Sequence, residues 1–233
     1  MRHTLDETAR LLFEGAMDTP ASPFPERLTE GYRAFLDDRF DREKDRYEQL
    51  AETGQTPKIL LIGCCDSRVS PEVIFDARPG EMFVVRNVAN LVPPFEVDDM
   101  HHGVSAALEF AVTQLEVPEI VVMGHGQCGG VHAALTRRFE HAPPGEGGFI
   151  AHWIDLLDDA RDRITAAHGG ASAEAIRALE LETVRVSIAN LRTFPCIRKR
   201  EAAGTLTLHG AYFAIADGML HALDEATGEF SAV

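Results

Sequence analysis

The hydrophobic and polar positions change period along the chain, and the changes mark out elements. KILLIGC (58–64) is apolar after its first residue, as expected of a strand covered on both faces. FVVRNVA (83–89) is a second such run and EIVVMGH (119–125) a third. Between them HGVSAALEFAVTQLE (102–116) sets Val104, Leu108, Ala111, Val112 and Leu115 on one helical stripe. The third run passes into Gly-rich GQCGG and then helical VHAALTRRF. Strands separated by helices predict parallel pairing with right-handed crossovers, hence an α/β fold with an open, mainly parallel sheet flanked by helices. Helices are expected around 150–167 and 173–191, and LTLHGAYFAI (206–215) reads as a further strand.

Upstream the pattern is different. Residues 28–51 are highly charged, with Phe35, Leu36, Phe40, Tyr47 and Leu50 at roughly helical spacing, which predicts an amphipathic helix with a wet outer face. Three prolines within 19–25 make a loop, and the segment up to Met17 is a candidate helix for docking on another subunit. The expected organisation is a helical arm over 1–53 and an α/β domain over 54–233.

Composition narrows the class. Apolar residues are 45% and charged residues 25%, which excludes a mostly disordered or collagen-like chain. The apolar runs at 59–63 and 120–123 are too short to cross a bilayer. Asp6, Glu7, Arg10 and Glu14 interrupt the first residues, which therefore lack the apolar core of a secretory signal, and a cytoplasmic address is expected. With 22 basic against 37 acidic residues the net charge is −15, which argues against nucleic acid or an anionic membrane as partner. A local Arg can still reverse the sign inside a pocket. Four cysteines do not make a disulfide scaffold, and the adjacent pair Cys64 and Cys65 would point to opposite faces of an extended strand.

Reactive groups in such sheets collect where strands end at their carboxyl edge. The first strand runs into Cys64-Cys65-Asp66-Ser67-Arg68, and the third into His125-Gly126-Gln127-Cys128-Gly129-Gly130. Two thiolates and one imidazole are a sound zinc set, and three protein ligands leave a fourth position for water. The first strand's ligand lies far outside zinc-finger spacing from His125, so the tertiary fold must deliver it. Each element alone has a plainer reading: Cys64 as a buried strand residue, the glycines as a tight turn, Asp66 as a helix cap with Arg68 beside it. Their conjunction at two strand ends favours a metal site with an acid and a base next to it.

Cys-x-Asp-Ser-Arg followed by His-x-x-Cys-Gly-Gly resembles the signature of the β-class carbonic anhydrases. The likeness extends through GQTPKILLIGCCDSRV (54–69), PGEMFVVRNVANLVPPF (79–95) and GVSAALEFAVTQLEVPEIVVMGHGQCGG (103–130), and is closest to the plant-type branch. It implies one zinc per chain on Cys64, His125 and Cys128, and reversible hydration of carbon dioxide to bicarbonate and a proton by attack of zinc-bound hydroxide. Asp66 would accept a hydrogen bond from that hydroxide and Arg68 would hold Asp66 ionised through a guanidinium fork. The implied substrate pocket is Phe83, Val88, Phe110 and Gly129, with Gln55 reaching in from a second subunit of a homodimer or higher homo-oligomer. Phe110 stands where plant-type members commonly carry Tyr, so one pocket hydroxyl is missing. Without the resemblance, Phe83, Val88 and Phe110 read as core packing. Cys65 and Cys196 read as having no part in the site, and the remaining histidines have no partner in the sequence.

Some bacterial members of that family close the metal with the dyad aspartate and bind bicarbonate at a second site built on Trp, Arg and Tyr. Here those positions read Leu61, Arg86 and Phe213, which predicts an open site near neutral pH, with Asp66 paired to Arg68 and no second bicarbonate site. The alternatives are a CS₂ or COS hydrolase on the same zinc scaffold and a non-catalytic bicarbonate-binding protein.

Overall fold

The computed structural model describes residues 24–98 and 101–233. The candidate helix up to Met17 and most of the Pro-rich loop lie outside the described residues. The chain divides into two compact units, with the boundary between Thr53 and Gly54.

In the first unit the described residues form helices α1 (Glu26–Ala34) and α2 (Asp41–Thr53), joined without a break by a widened π-turn at Phe35–Phe40. The extra residue of a π-turn shifts the stripe and brings four rings together. Phe35 packs on Tyr32, Phe40 and Tyr47 with centroids 6.4, 5.8 and 6.0 Å away. No residue of these helices is buried. The wet face expected of 28–51 is present, and the apolar face is nowhere fully covered.

The second unit is a six-stranded sheet in the order β2-β1-β3-β4-β5-β6. Its strands are β1 (Ile59–Cys64), β2 (Met82–Asn87), β3 (Glu119–His125), β4 (Thr207–Ala214), β5 (Met219–Asp224) and β6 (Glu229–Ala232). The first four pair in parallel and the last two are antiparallel. The helices are α3 (Pro71–Ile74), α4 (Gly103–Glu109, continued by a π-turn at Phe110–Gln114), α5 (Gly129–Leu135), α6 (Gly148–Ile154), α7 (Asp158–His168), α8 (Ala173–Leu191) and α9 (Pro195–Ala202). Among the described residues no helix is long and apolar enough to cross a membrane.

β1 and β3 are buried along nearly their whole length, as their continuous apolar runs predict. β2 departs from that expectation. It is the edge strand, only half-buried, and Arg86 points out of it. Among the described residues the core falls into three clusters. Leu60, Ile62, Ile120 and Val122 pack on Leu108 of α4, Val112 of its π-turn and Val184, Ile188 and Leu191 of α8. Leu61, Met123 and Ala211 cluster separately, and Cys64, Leu91, Cys128, Val131, Leu157 and Leu179 belong to a third. Each aliphatic side chain buried in this way contributes roughly 1.5–3 kcal/mol of transfer free energy.

Helix α8 lies very close to the sheet. A Cβ on Gly124 of β3 would sit 2.8 Å from Val184 Cγ2, and one on Gly210 of β4 would sit 2.9 Å from Val184 Cγ1. Val has one preferred χ1 in a helix and cannot swing aside. We expect Gly124→Ala to destabilise the protein by roughly 1–3 kcal/mol through overpacking. Urea denaturation measures the change, and a variant as stable as the parent would show that the helix can retreat.

Candidate metal centre

The parallel register places Gly63 of β1 opposite Met123 of β3, so both strands finish at the same edge of the sheet. Cys64 is the last residue of β1 and His125 the last of β3, and both side chains are buried. Cys65, one residue on, is exposed, as the alternation of an extended strand requires. After His125 the chain turns sharply, with Gln127 in the left-handed region at φ 56°, and Cys128 precedes the first turn of α5. Gly126 is needed because a Cβ there would lie 2.8 Å from the Tyr212 hydroxyl, and Gly130 because its Cβ would lie 2.7 Å from Val88 Cγ1.

Ligand atoms of Cys64, His125 and Cys128 all lie within 4.8 Å of one another, and all three residues are buried. The two Sγ atoms are 3.9 Å apart, with both thiols free. His125 Nδ1 sits 2.9 Å from the carbonyl of Gly126, which places the ring proton there and leaves Nε2 with a free lone pair. Nε2 is buried and has no hydrogen-bond partner. A buried, unpaired imidazole nitrogen facing two thiols is the arrangement expected of a soft-metal site, because an orphaned polar atom is otherwise costly.

The protons support that reading. The two sulfurs share one proton most easily: hydrogen bonding from Cys128 lowers the Cys64 thiol despite its burial, and the same contact raises Cys128. Burial works against a charged His125, but the Cys64 sulfur, the Gly126 carbonyl and the Asp66 carboxylate together raise the imidazole. A divalent cation would resolve this competition by taking the place of the shared proton.

Beside the sulfurs, Asp66 and Arg68 form a two-pronged ion pair. Arg68 Nε donates to Asp66 Oδ1 at 2.9 Å and Nη2 to Oδ2 at 2.7 Å, and the Arg68 backbone N–H adds a third bond at 3.0 Å. The same Nη2 reaches the Gln127 carbonyl at 3.0 Å, tying the dyad to the His125–Cys128 turn. The Arg68 guanidinium holds the Asp66 carboxyl well below the usual carboxylate range, against the effect of its partial burial. Arg86 is engaged with backbone: Nε donates to the Cys64 carbonyl at 2.9 Å and Nη2 to the Asp66 carbonyl at 2.7 Å. Leu61 is fully buried and Phe213 packs against the core.

Of the remaining candidates, Phe83 and Val88 are half-buried and Phe110 is largely exposed, its ring centroid 5.9 Å from that of Phe83. Gly129 is exposed, and a Cβ there would meet nothing within 4 Å. Gln55 is exposed in the loop ahead of β1. Sequence reasoning passed over several residues that build this site. Trp153 Nε1 donates to the Val88 carbonyl at 2.8 Å, and the Asn87 side chain bridges the N–H and carbonyl of Leu91. Glu180 is buried on α8 and accepts from the Cys128 N–H at 3.2 Å and the Tyr212 hydroxyl at 2.9 Å.

A buried Cys₂His set with an Arg-paired carboxylate beside it, at the carboxyl edge of an open α/β sheet, is the arrangement of a metalloenzyme site. Comparison with known proteins identifies which. Residues 59–220 match the carbonic anhydrase family. The chain is 37% identical to beta carbonic anhydrase 3 of Arabidopsis thaliana over 83% of its length and 74% of that protein's. It is also 37% identical to a carbonic anhydrase of Pseudomonas aeruginosa, over 87% of this chain and 89% of that one. Among solved structures it resembles the β-carbonic anhydrase CcaA with TM-score 0.82 and 32% identity, covering 89% and 91% of the two chains. The Coccomyxa β-carbonic anhydrase in complex with acetazolamide gives TM-score 0.74 and 30% identity, covering 87% of each. The chain belongs to the β-class carbonic anhydrases.

The ion pair has a defined pH signature. A carboxyl whose pKa is depressed by folding adds stability above its unfolded value of about 3.9 and loses it as pH falls toward the folded value. The stability difference between wild type and Asp66→Asn should therefore stay constant from about pH 5 to 8 and shrink below about pH 4. Denaturation of both proteins across that range measures it, and a gap that closes between pH 5 and 8 would contradict the pairing.

Proposed function

We propose that this chain catalyses the reversible hydration of carbon dioxide to bicarbonate and a proton, with one zinc ion held by Cys64, His125 and Cys128. The observation that carries the reading is the convergence of two thiols and an unpaired imidazole nitrogen within 4.8 Å, beside an ionised Asp66. Thiolates and imidazole suit zinc better than the hard oxygen-seeking cations. Bound there, zinc supplies a Lewis acid that brings the pKa of a water from about 15.7 toward about 7.

The chain's own residues do the rest. Asp66, kept ionised by Arg68, accepts a hydrogen bond from the attacking water and aims its lone pair at carbon. Two thiolates neutralise more of the metal's charge than imidazoles would, so a water held there would be less acidic than beside three imidazoles, and the part of Asp66 is to orient it. Arg68 is better suited than Lys, because its fork meets both carboxylate oxygens and the Gln127 carbonyl together. Carbon dioxide is apolar, and Val88, which reaches Gly130, offers it an apolar wall, with open space at Gly129. Phe83 pairs with Leu60, at the far end of β1 from Cys64, so Phe83 and the Phe110 ring near it would wall the pocket only from a second subunit, as Gln55 does. Phe110 contributes no hydroxyl.

Gln55 completes the pocket from a second subunit, so the working unit is a homodimer or a higher assembly. Similar β-carbonic anhydrases from Sordaria macrospora are tetrameric, with TM-score 0.70 and 29% identity. The free thiols and acidic balance fit a reducing cytoplasm. Near neutral pH the site is open, because Asp66 is committed to Arg68. A second bicarbonate site is disfavoured because Arg86 already serves two carbonyls and Leu61 and Phe213 offer no polar partner.

The test is zinc content and carbon dioxide hydration measured on the same purified samples. Wild type should carry one zinc per chain, and Cys128→Ser should lose most of it together with activity. Asp66→Asn and Arg68→Ala should keep zinc but hydrate on the order of 10² more slowly or worse, as for loss of a positioned acid–base group. Near-normal rates in either would make the dyad structural. Release of sulfide from COS without hydration of carbon dioxide would move the chain to the alternative substrate.

A further inference from the structure

Helix α8 buries Leu179, Val184, Ile188 and Leu191, and the same side of the helix buries Glu180, Thr183 and Ser187. Steps of three and four residues put these polar groups in one row. A carboxylate and two hydroxyls inside a protein are costly unless satisfied. Here their side-chain partners belong largely to the loops that form the reaction centre.

Glu180 meets the metal-ligand turn. Its Oε1 accepts from the Cys128 N–H at 3.2 Å, and its Oε2 accepts from the Tyr212 hydroxyl at 2.9 Å. That turn carries Gln127 at positive φ and both of its metal ligands within four residues, and its ladder to β4 ends with the Gly126 N–H on the Phe213 carbonyl at 3.0 Å, short of Cys128. One and two helical turns along, Thr183 and Ser187 meet the other side of the site. Asn90 Nδ2 donates to Thr183 Oγ1 at 3.2 Å, Ser187 Oγ donates to the Asn90 carbonyl at 3.0 Å, and the Val92 N–H donates to Ser187 Oγ at 3.2 Å. The segment they grip is strained: Ala89 and Asn90 stand consecutively in the left-handed region at φ 63° and 49°, and both are buried. Such a conformation persists only where its surroundings over-determine it. Val88, the residue before it, contacts the metal loop where Gly130 has no Cβ.

We propose that this polar row positions both halves of the reaction centre, Glu180 fixing the His125–Cys128 turn at the metal and Thr183 with Ser187 fixing the Ala89–Asn90 turn that sets Val88 into the substrate wall. All three are positioning residues, acting through the groups they hold. The inference rests on the zinc-dependent hydration reading, and the wild-type protein serves as the control that separates the two.

The experiment measures zinc affinity by chelator competition, and kcat and KM for carbon dioxide, in folded protein checked by circular dichroism. Glu180→Leu matches the volume but leaves the Cys128 N–H without an acceptor. Its zinc affinity should fall about tenfold or more, as when outer partners of metal ligands are removed. Glu180→Gln keeps an acceptor for that N–H and should restore most of the affinity, a rescue that a role through charge would not give. Ser187→Ala should raise KM several-fold while leaving kcat and zinc affinity within about twofold, the mark of lost ground-state binding. Zinc affinity unchanged in Glu180→Leu, or no rescue by Gln, overturns the first half. Parallel loss of kcat and unchanged KM in Ser187→Ala overturns the second, and this arm decides alone if Glu180→Leu does not fold. A wild type without zinc or hydration would instead contradict the proposed function.

Discussion

The site depends on the register of β1 against β3. These neighbouring parallel strands end at the same edge, and that pairing alone brings Cys64 beside the turn that carries His125 and Cys128. A slip of one residue would turn every side chain of β1 to the opposite face and present Cys65 to the metal turn in place of Cys64. The adjacent cysteines make the consequence visible: one is buried among ligand atoms and the other faces solvent. Register is held by the apolar residues of both strands, so the same Leu60, Ile62, Ile120 and Val122 that form the core also set the spacing of the three candidate ligand residues.

Strand ends are where a sheet stops satisfying its own backbone, and this protein meets the deficit with side chains from elsewhere. Arg86 ties down the carbonyls of Cys64 and Asp66, Arg68 ties the Gln127 carbonyl, Trp153 the Val88 carbonyl, and Glu180 the Cys128 N–H. Three non-glycine residues in the left-handed region, Ala89, Asn90 and Gln127, lie in these loops, each costing on the order of 1–3 kcal/mol. Packing of α8 against Gly124 and Gly210 brings its polar row within reach of both loops. Under the proposed positioning role, close approach of that helix is a functional requirement as well as a packing one.

The sequence announces the strands that are buried on both faces, because a short continuous apolar run is stable in water only when both of its sides are covered. It also announces the candidate ligands Cys64, His125 and Cys128 and the Asp66–Arg68 pair, since all five stand next to strand ends in the linear chain. What it conceals is set by tertiary context. β2 reads like β1 but lies at the sheet edge, and nothing local to 83–89 says so. β5 and β6 are short and half-exposed, with burial patterns too weak to form a recognisable alternation. The π-turns at Phe35–Phe40 and Phe110–Gln114 leave a helical period almost intact. Glu180, Thr183 and Ser187 look like ordinary polar positions of a mixed helix. The available signal was that they share a side with Leu179, Val184 and Ile188, polar groups spaced to face the core. The proposed pocket residues Phe83, Val88, Phe110, Gly129 and Gln55 were legible only through family resemblance, since an apolar residue beside a strand is otherwise core.

The most direct measurement of the central claim is the zinc K-edge X-ray absorption spectrum of the wild-type protein, taken on a preparation shown to hydrate carbon dioxide. The account predicts two sulfur neighbours at about 2.3 Å and two nitrogen or oxygen neighbours at about 2.0–2.1 Å. A shell with one sulfur or none, or with three or four, would contradict the assignment of Cys64, His125 and Cys128 as the metal's protein ligands.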